Sequence, residues 1–380
     1  MFVMVATFSP EVYSRRLAEA QRLCVERKIS GLIVGTGPQF AYLTGSWLST
    51  HERFTAVVIP ATGKPSVVAP AVDRGDINRS VLGELDVSVI GWVDGENPHA
   101  IAVNALALPT EENNHVGIGA SITADHLLPI QTLLGAQSST ILATEVLAEL
   151  FTRKDDAEIA ELRRAGAAID VVHSQVPALL QPGKTEREVA QELERLILRE
   201  HTAVDFVIVG SMENGANPHH DFSDRSLEAG DMVVVDIGGT FGPGYHSDCT
   251  RTYIVGGADA EISEEMAAMY NVLFDAQRAA VAAVRPTVTA AEIDKVARDI
   301  ISEAGYGEFF IHRTGHGIGL STHEEPFIMA GNDLVLEPGM AFSVEPGIYL
   351  PGKFGARIED IVVVTESGCQ LLNNQPRQLQ

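Results

Sequence analysis

Between positions 312 and 326 the chain reads His312-Arg313-Thr314-Gly315-His316-Gly317-Ile318-Gly319-Leu320-Ser321-Thr322-His323-Glu324-Glu325-Pro326. Three imidazoles share this stretch, and the glycines between two of them permit close backbone approach and unusual dihedrals. Strand-like runs on either side end in carboxylates: Asp236 and Asp248 before it, Glu345 and Glu359 after it. Carboxylate oxygens with an imidazole nitrogen are a donor set for divalent ions of the Mn²⁺, Co²⁺ or Zn²⁺ type. Four carboxylates and one imidazole suit two such ions, with His316 the expected imidazole ligand. A metal pair about 3.5 Å apart can hold a bridging hydroxide and polarise a carbonyl. No cysteine joins the set, which argues against structural zinc. Phe327 stands where an H-E-x-x-H zinc motif starting at His323 would need its second histidine.

The elements that must carry these residues can be read from alternation. On Met232 to Asp236, every second side chain puts Asp236 on a face with apolar Met232 and Val234. Glu345 shares a face with Ala341 and Ser343, and Asp248 with His246, Thr250 and Thr252. Arg357 shares a face with Glu359 and can steady one of the carboxylates. A carboxylate on a core face is costly unless it is paired or bound to a cation.

These runs belong to a duplicated half. Pro182-Gly183-Lys184-Thr185-Glu186-Arg187-Glu188-Val189 matches Pro286-Thr287-Val288-Thr289-Ala290-Ala291-Glu292-Ile293, and both contain a capping-box pattern that opens a helix. Leu227-Glu228-Ala229-Gly230 followed by a strand to Asp236 matches Leu336-Glu337-Pro338-Gly339 followed by a strand to Glu345. The two phrases recur in the same order. The expectation is a pair of related half-domains that bring matching carboxylates to one shared site. Ahead of them, apolar spacing predicts one long helix from Asp155 to Leu180.

The first half of the chain alternates short apolar strands, such as 31–35, 56–59, 66–69, 87–90 and 115–119, with helical patterns near 10–28, 99–107 and 123–134. That alternation predicts an α/β layer domain. Gly35-Thr36-Gly37 hints at a dinucleotide loop, but the third glycine and a ribose-binding acid are missing. Pro38 is expected to break the helix start, so a plain turn is the better reading.

With 380 residues, two domains are the natural prior. A net charge of −24 excludes nucleic acid and anionic membrane as natural partners. Three scattered cysteines, Cys24, Cys249 and Cys369, fit a reducing compartment rather than a disulfide framework. No apolar run is long enough to span a membrane, and the N-terminal residues lack a basic region and a cleavage site. The expected location is cytoplasmic.

Five phrases together resemble the pita-bread metallopeptidases (family M24). They are Asn217-Pro218-His219, Val235-Asp236-Ile237-Gly238, Ser247-Asp248-Cys249-Thr250-Arg251-Thr252, the stretch from His312 to Pro326, and Ser343-Val344-Glu345-Pro346-Gly347 with Arg357-Ile358-Glu359-Asp360. The family includes Xaa-Pro dipeptidase (prolidase), aminopeptidase P, methionine aminopeptidase and creatinase. The nearest likeness is to bacterial prolidase and aminopeptidase P. The resemblance implies an α/β N-terminal domain of the creatinase/prolidase type over 1–150 and an α+β pita-bread catalytic domain with pseudo-two-fold duplication over 151–380. It implies two metals, Mn²⁺ before Co²⁺ or Zn²⁺, held by Asp236, Asp248, His316, Glu345 and Glu359, with Asp248 and Glu359 bridging. Glu345 would also carry the proton from the attacking water to the leaving nitrogen. His219 and His323 would stabilise the tetrahedral intermediate, and His312, Tyr349 and Arg357 would shape the pocket beyond the scissile bond. A homodimer is implied on the same ground.

The expected activity is hydrolysis of Xaa-Pro dipeptides. Its rivals are aminopeptidase P activity on longer Xaa-Pro peptides and a general dipeptidase. Creatinase chemistry proceeds without metals, and non-enzymatic pita-bread binding proteins typically lose the ligands, so the complete ligand set argues against both. The acidic charge further disfavours a nucleic-acid-binding module.

Overall fold

The computed structural model describes residues 8–49, 51–109, 113–257 and 260–379. The apolar N-terminal residues 1–7, read above for a leader, lie outside them. The chain divides into two compact units, Met1–Phe151 and Thr152–Gln380. Among the described residues no helix is long and apolar enough to cross a membrane.

The first unit is built on a six-stranded mixed sheet in the order Ser88–Trp92, Ser66–Pro70, Ala56–Pro60, Gly31–Gly35, Asn114–Ile118 and Ser138–Leu142. Strands Gly31–Gly35, Ala56–Pro60 and Ser66–Pro70 are buried along their whole length. That is why they read as short continuous apolar runs rather than alternating ones. Ile33, Val58, Val68 and Val116 pack with Ala102 and Ile130 from two covering helices. Pro38 does not break a helix here. It opens one, Pro38–Thr44, because the first helical position needs no N–H.

The second unit carries the duplication in its backbone bonds. Gly183 N donates to Leu227 O at 2.8 Å, and Thr287 N to Leu336 O at 3.2 Å. Leu227 N donates to Lys184 O and Leu336 N to Val288 O, both at 2.8 Å. Both capping boxes form, Thr185 with Glu188 and Thr289 with Glu292. In one half, helices Asp156–His173 and Glu186–Glu200 pack on the hairpin Met232–Phe241 and Tyr245–Ile254 through Ile169, Leu193, Val233, Val235 and Ile237. In the other, helices Glu264–Ala283 and Ala290–Glu303 pack on strands Ala341–Val344 and Asp360–Val364 through Leu273, Ile293, Phe342, Val344 and Val362. The residues between these core positions face away from the helices: Val234 and Asp236 in one strand, Ala341 and Ser343 in the other.

Two elements differ from the sequence reading. The helix expected over 155–180 stops at His173, and a short helix Val176–Leu179 follows. Pro177 explains the stop, since its ring would clash with the carbonyl four residues back, which is that of His173. Glu359 does not sit inside a strand. It falls in the break between Phe354–Arg357 and Asp360–Val364.

Candidate active site

A cavity of about 680 Å³ opens in the second unit, lined among others by Asp236, Asp248, His316, Glu345 and Glu359. His219, His312, His323 and Arg357 line it too. Tyr349 stands behind this lining and is buried. Nine of the ten residues expected at the site from the sequence line this one cavity.

The hairpin delivers the first two carboxylates. Asp236 pairs with Thr250 and Gly238 with Asp248, so Asp236, Thr250 and Asp248 share a face. Glu345 follows the strand Ala341–Val344, and its N–H donates to Thr314 O at 2.8 Å. That bond ties the end of one strand to the segment leading into Gly315 and His316. Glu359 is fastened to the hairpin twice. Its N–H donates to Thr250 O at 3.1 Å, and its Oε2 accepts from Thr250 Oγ1 at 2.8 Å. The glycines flanking His316 are needed for close approach. A Cβ at Gly315 would collide with the Ser343 carbonyl oxygen, and one at Gly317 with the Glu325 carbonyl oxygen.

Asp248, His316 and Glu359 each place a donor atom within 4.8 Å of the others. His316 Nε2 lies 3.1 Å from Glu345 Oε1 and 3.7 Å from Asp248 Oδ2. His316 Nδ1 lies 3.1 Å from the Gly317 carbonyl, which can only accept, so Nδ1 carries a proton and Nε2 is the nitrogen turned to the carboxylates. Asp236 is held at Oδ2 by Arg357 Nη2, 2.6 Å away. Two buried oxygens, Asp236 Oδ1 and Glu359 Oε1, have no protein partner. Unpartnered carboxylate oxygens in a dry site are expensive. Four carboxylates, with Arg357 and His316 the cationic or imidazole groups in direct contact with them, form a site short of positive charge, and the donor set fits divalent cations.

The electrostatics follow from the same crowding. Burial, and next the charge of Asp236, push the Asp248 carboxyl well above the ordinary carboxylate range. Burial and the neighbouring Asp248 do the same to Glu359. Burial works against the charge of Glu345, but its hydrogen bond with His316 wins and holds the carboxyl low. His316 is raised in turn, because Glu345 and Asp248 outweigh its burial. Burial and the nearby His316 lower His323 to about 4, which keeps its ring neutral at pH 7.

The other imidazoles have separate supports. The ring centroids of His323 and His316 are 3.9 Å apart. His312 Nε2 lies 2.9 Å from Tyr349 Oη, which accepts from Arg357 Nη1 at 2.8 Å. Arg357 therefore links Tyr349 to Asp236.

Several contributors were not singled out in the sequence. Ser343 Oγ accepts from His316 N and donates to Glu345 Oε1, each at 2.9 Å. Its place on the Glu345 face was the only clue. His246 reaches Asp205 Oδ2 at 2.6 Å through Nδ1, and its N–H donates to Gly319 O at 3.0 Å. Lys154 pairs with Glu324 Oε1 at 2.5 Å, almost fully buried. Both contacts brace the segment around His323; His246 is marked only by sharing the Asp248 face, and Lys154 by nothing in local spacing.

The chain has known relatives. Residues 160–366 match the model for metallopeptidase family M24, and residues 16–150 match the creatinase/prolidase N-terminal domain. It is similar to the probable dipeptidase PepE of Mycobacterium tuberculosis, with 50% identity over 98% of this chain and 97% of the relative. It is also similar to the Xaa-Pro dipeptidase of Lactobacillus helveticus, with 35% identity over 89% of this chain and 91% of the relative. Among solved structures, dipeptidase PepE from Mycobacterium ulcerans superposes with a TM-score of 0.93 at 50% identity, covering 99% of each chain. Fold, cavity and kinship agree, and the chain belongs to metallopeptidase family M24, as a peptidase with a creatinase/prolidase-type N-terminal domain and a pita-bread catalytic domain.

Proposed function

We propose that the protein is a two-metal dipeptidase that hydrolyses the bond before proline in Xaa-Pro dipeptides. The observation that carries this reading is the five-residue donor set, with Asp236 Oδ1 and Glu359 Oε1 unpartnered, in a cavity that also holds three further imidazoles. Asp236 would hold one ion, His316 and Glu345 the other, and Asp248 with Glu359 both. Two divalent ions, Mn²⁺ by preference, would supply Lewis-acid polarisation of the scissile carbonyl and an acidified water.

The chain's own groups do the rest. Glu345 takes the proton from the attacking water and delivers it to the leaving imino nitrogen. His219 and His323 donate hydrogen bonds to the oxyanion that develops on the carbonyl. A neutral His323 still offers one N–H donor and adds no positive charge beside the cations. Arg357, Tyr349 and His312 hold the residue after the scissile bond. The relatives named dipeptidase favour dipeptides over longer peptides. The relative named Xaa-Pro dipeptidase favours proline in the second place. A cytoplasmic homodimer completes the reading, and the three free cysteines suit that compartment.

The test compares Ala-Pro, Ala-Pro-Gly and Ala-Ala as substrates of the Mn²⁺-loaded protein. Ala-Pro should be cleaved fastest. Preferred cleavage of Ala-Pro-Gly would replace this reading with aminopeptidase P, and equal cleavage of Ala-Ala with a general dipeptidase.

A further inference from the structure

Two buried carboxylates outside the donor set grip the segments that carry the site's imidazoles, one in each half of the duplication. Glu186 begins the helix Glu186–Glu200 and is fully buried. Its Oε1 accepts from Ser211 N at 2.7 Å and Ser211 Oγ at 2.5 Å. Its Oε2 accepts from Ser223 N at 2.8 Å, from Ser223 Oγ at 2.7 Å and from His220 Nε2 at 2.9 Å. Asn214 Nδ2 reaches both oxygens at 3.1 Å. These partners bracket the segment 211–223, which carries His219 to the cavity.

Asp294, on the helix Ala290–Glu303, does the corresponding work in the other half. Its Oδ1 accepts from Thr314 N at 3.2 Å and Thr314 Oγ1 at 2.8 Å. Arg298 forks onto both oxygens of Asp294 at 2.9 Å. The same guanidinium donates to Phe310 O at 3.0 Å and His312 O at 2.9 Å. The pair brackets 310–314, and with it His312.

The duplication separates what the fold needs from what the site needs. In the matched phrases Glu186 falls on Ala290, and the same offset places Asp294 on Ala190. Both alanines are fully buried. Positions 186 and 190 lie one helical turn apart on the same face. Each half therefore folds with alanine where the other half buries a carboxylate, although the backbone bonds around the two helices correspond. A carboxylate is costly to bury. What differs between the halves is the imidazole-bearing segment that each carboxylate grips.

We propose that Glu186 and Asp294 are positioning residues acquired separately by the two halves. Glu186 places His219, and Asp294 through Arg298 places His312. The proposal rests on the roles given above, with His219 acting on the oxyanion and His312 holding the residue after the scissile bond. Loosening the two segments should then damage different kinetic constants.

Glu186→Gln and Asp294→Asn are compared with wild type as Mn²⁺-loaded proteins acting on Ala-Pro. Glu186→Gln should lower kcat about tenfold or more and leave KM within about twofold, the scale expected of a small misplacement. Asp294→Asn should raise KM by about tenfold with a much smaller change in kcat. Adding Glu186→Gln to His219→Ala should cost nothing further, because the positioned group is already gone. Bound metal should stay at the wild-type level in both single variants. Equal damage to kcat and KM in both variants, or multiplicative losses with His219→Ala, would overturn the proposal. If Glu186→Gln does not fold, Glu186→Ala is the second variant, since the other half carries alanine there. Failure of both to fold would make Glu186 architectural and also overturn it. Amide exchange gives a readout independent of turnover. Faster exchange confined to 211–223 in Glu186→Gln and to 310–316 in Asp294→Asn supports the proposal, and exchange spread through the unit overturns it. A wild-type protein that cleaves no dipeptide would remove the functional reading, and the exchange result would still decide this one.

Discussion

Arg357 donates from Nη2 to Asp236 Oδ2 at 2.6 Å and leaves the other oxygen of Asp236 buried without a protein partner. One carboxylate of the four is thus paired at one oxygen with a guanidinium and buried without a protein partner at the other. Arg357 is itself buried, and its Nε donates to Thr250 Oγ1 at 3.1 Å. Removing it would strand Asp236 beside three other carboxylates. Arg357→Met should destabilise the metal-free protein by about 3–5 kcal/mol, the usual cost of breaking a buried ion pair. Denaturant unfolding measures this, and a loss under about 1 kcal/mol would contradict the pairing.

Chelation should abolish Ala-Pro hydrolysis, and added Mn²⁺ or Co²⁺ should restore it. The reason is the donor set: Asp236 Oδ1 and Glu359 Oε1 are buried without a protein partner, beside His316 Nε2 and Glu345. Full activity after complete metal removal would refute the proposed mechanism.

His316 and His323 lie against one another but should respond differently to alanine. His316→Ala removes a donor within 4.8 Å of those of Asp248 and Glu359, so bound metal should fall, as it should in Asp248→Ala. His323→Ala should keep the metal and lose about 10²-fold in kcat, the scale of one oxyanion donor. Elemental analysis beside steady-state kinetics separates the two. Unchanged metal content in His316→Ala would refute its assignment as a ligand.

The acid limit of stability should depend on His173, which is fully buried and does not line the cavity. The Cys249 carbonyl, 2.8 Å from His173 Nε2, can only accept, so Nε2 carries the proton and Nδ1 accepts from Tyr253 Oη at 2.9 Å. Burial, and next the charge of Arg251, lower its pKa from 6.5 to about 3. Below pH 6.5 the unfolded chain binds a proton that the folded protein refuses, so stability falls as the pH drops towards 3. The contribution is fully present above pH 6.5. Its loss between pH 6.5 and 4 is on the order of 3 kcal/mol. His173→Gln should flatten that part of the curve of Tm against pH. An unchanged slope would show that other groups govern the acid limit.

Much of this site was legible in the residues alone. Metal chemistry demands particular donor types, and the duplicated strands announced where Asp236 and Glu345 would stand. Alternation placed Asp236 opposite the helix-facing Val233 and Val235, as the packing has it. Local rules went wrong where a single proline mattered. Pro38 opens a helix that it was expected to prevent, and Pro177 ends one that apolar spacing alone would continue.

Tertiary structure alone decided which groups meet across long separations. Nothing near Lys154 points to Glu324, and nothing near Glu186 points to Ser211 and Ser223. Glu186 looked like one more acidic residue in the first turn of a capped helix. Residue types and spacing determine which atoms can bind a cation, because that chemistry is intrinsic to the side chain. Which carboxylate oxygen is consumed by a guanidinium, and which is left for a metal, depends on how the packed elements exclude water and bring partners within hydrogen-bond reach. That selection is made by the fold, since a buried polar group must satisfy itself with whatever the packing has placed beside it.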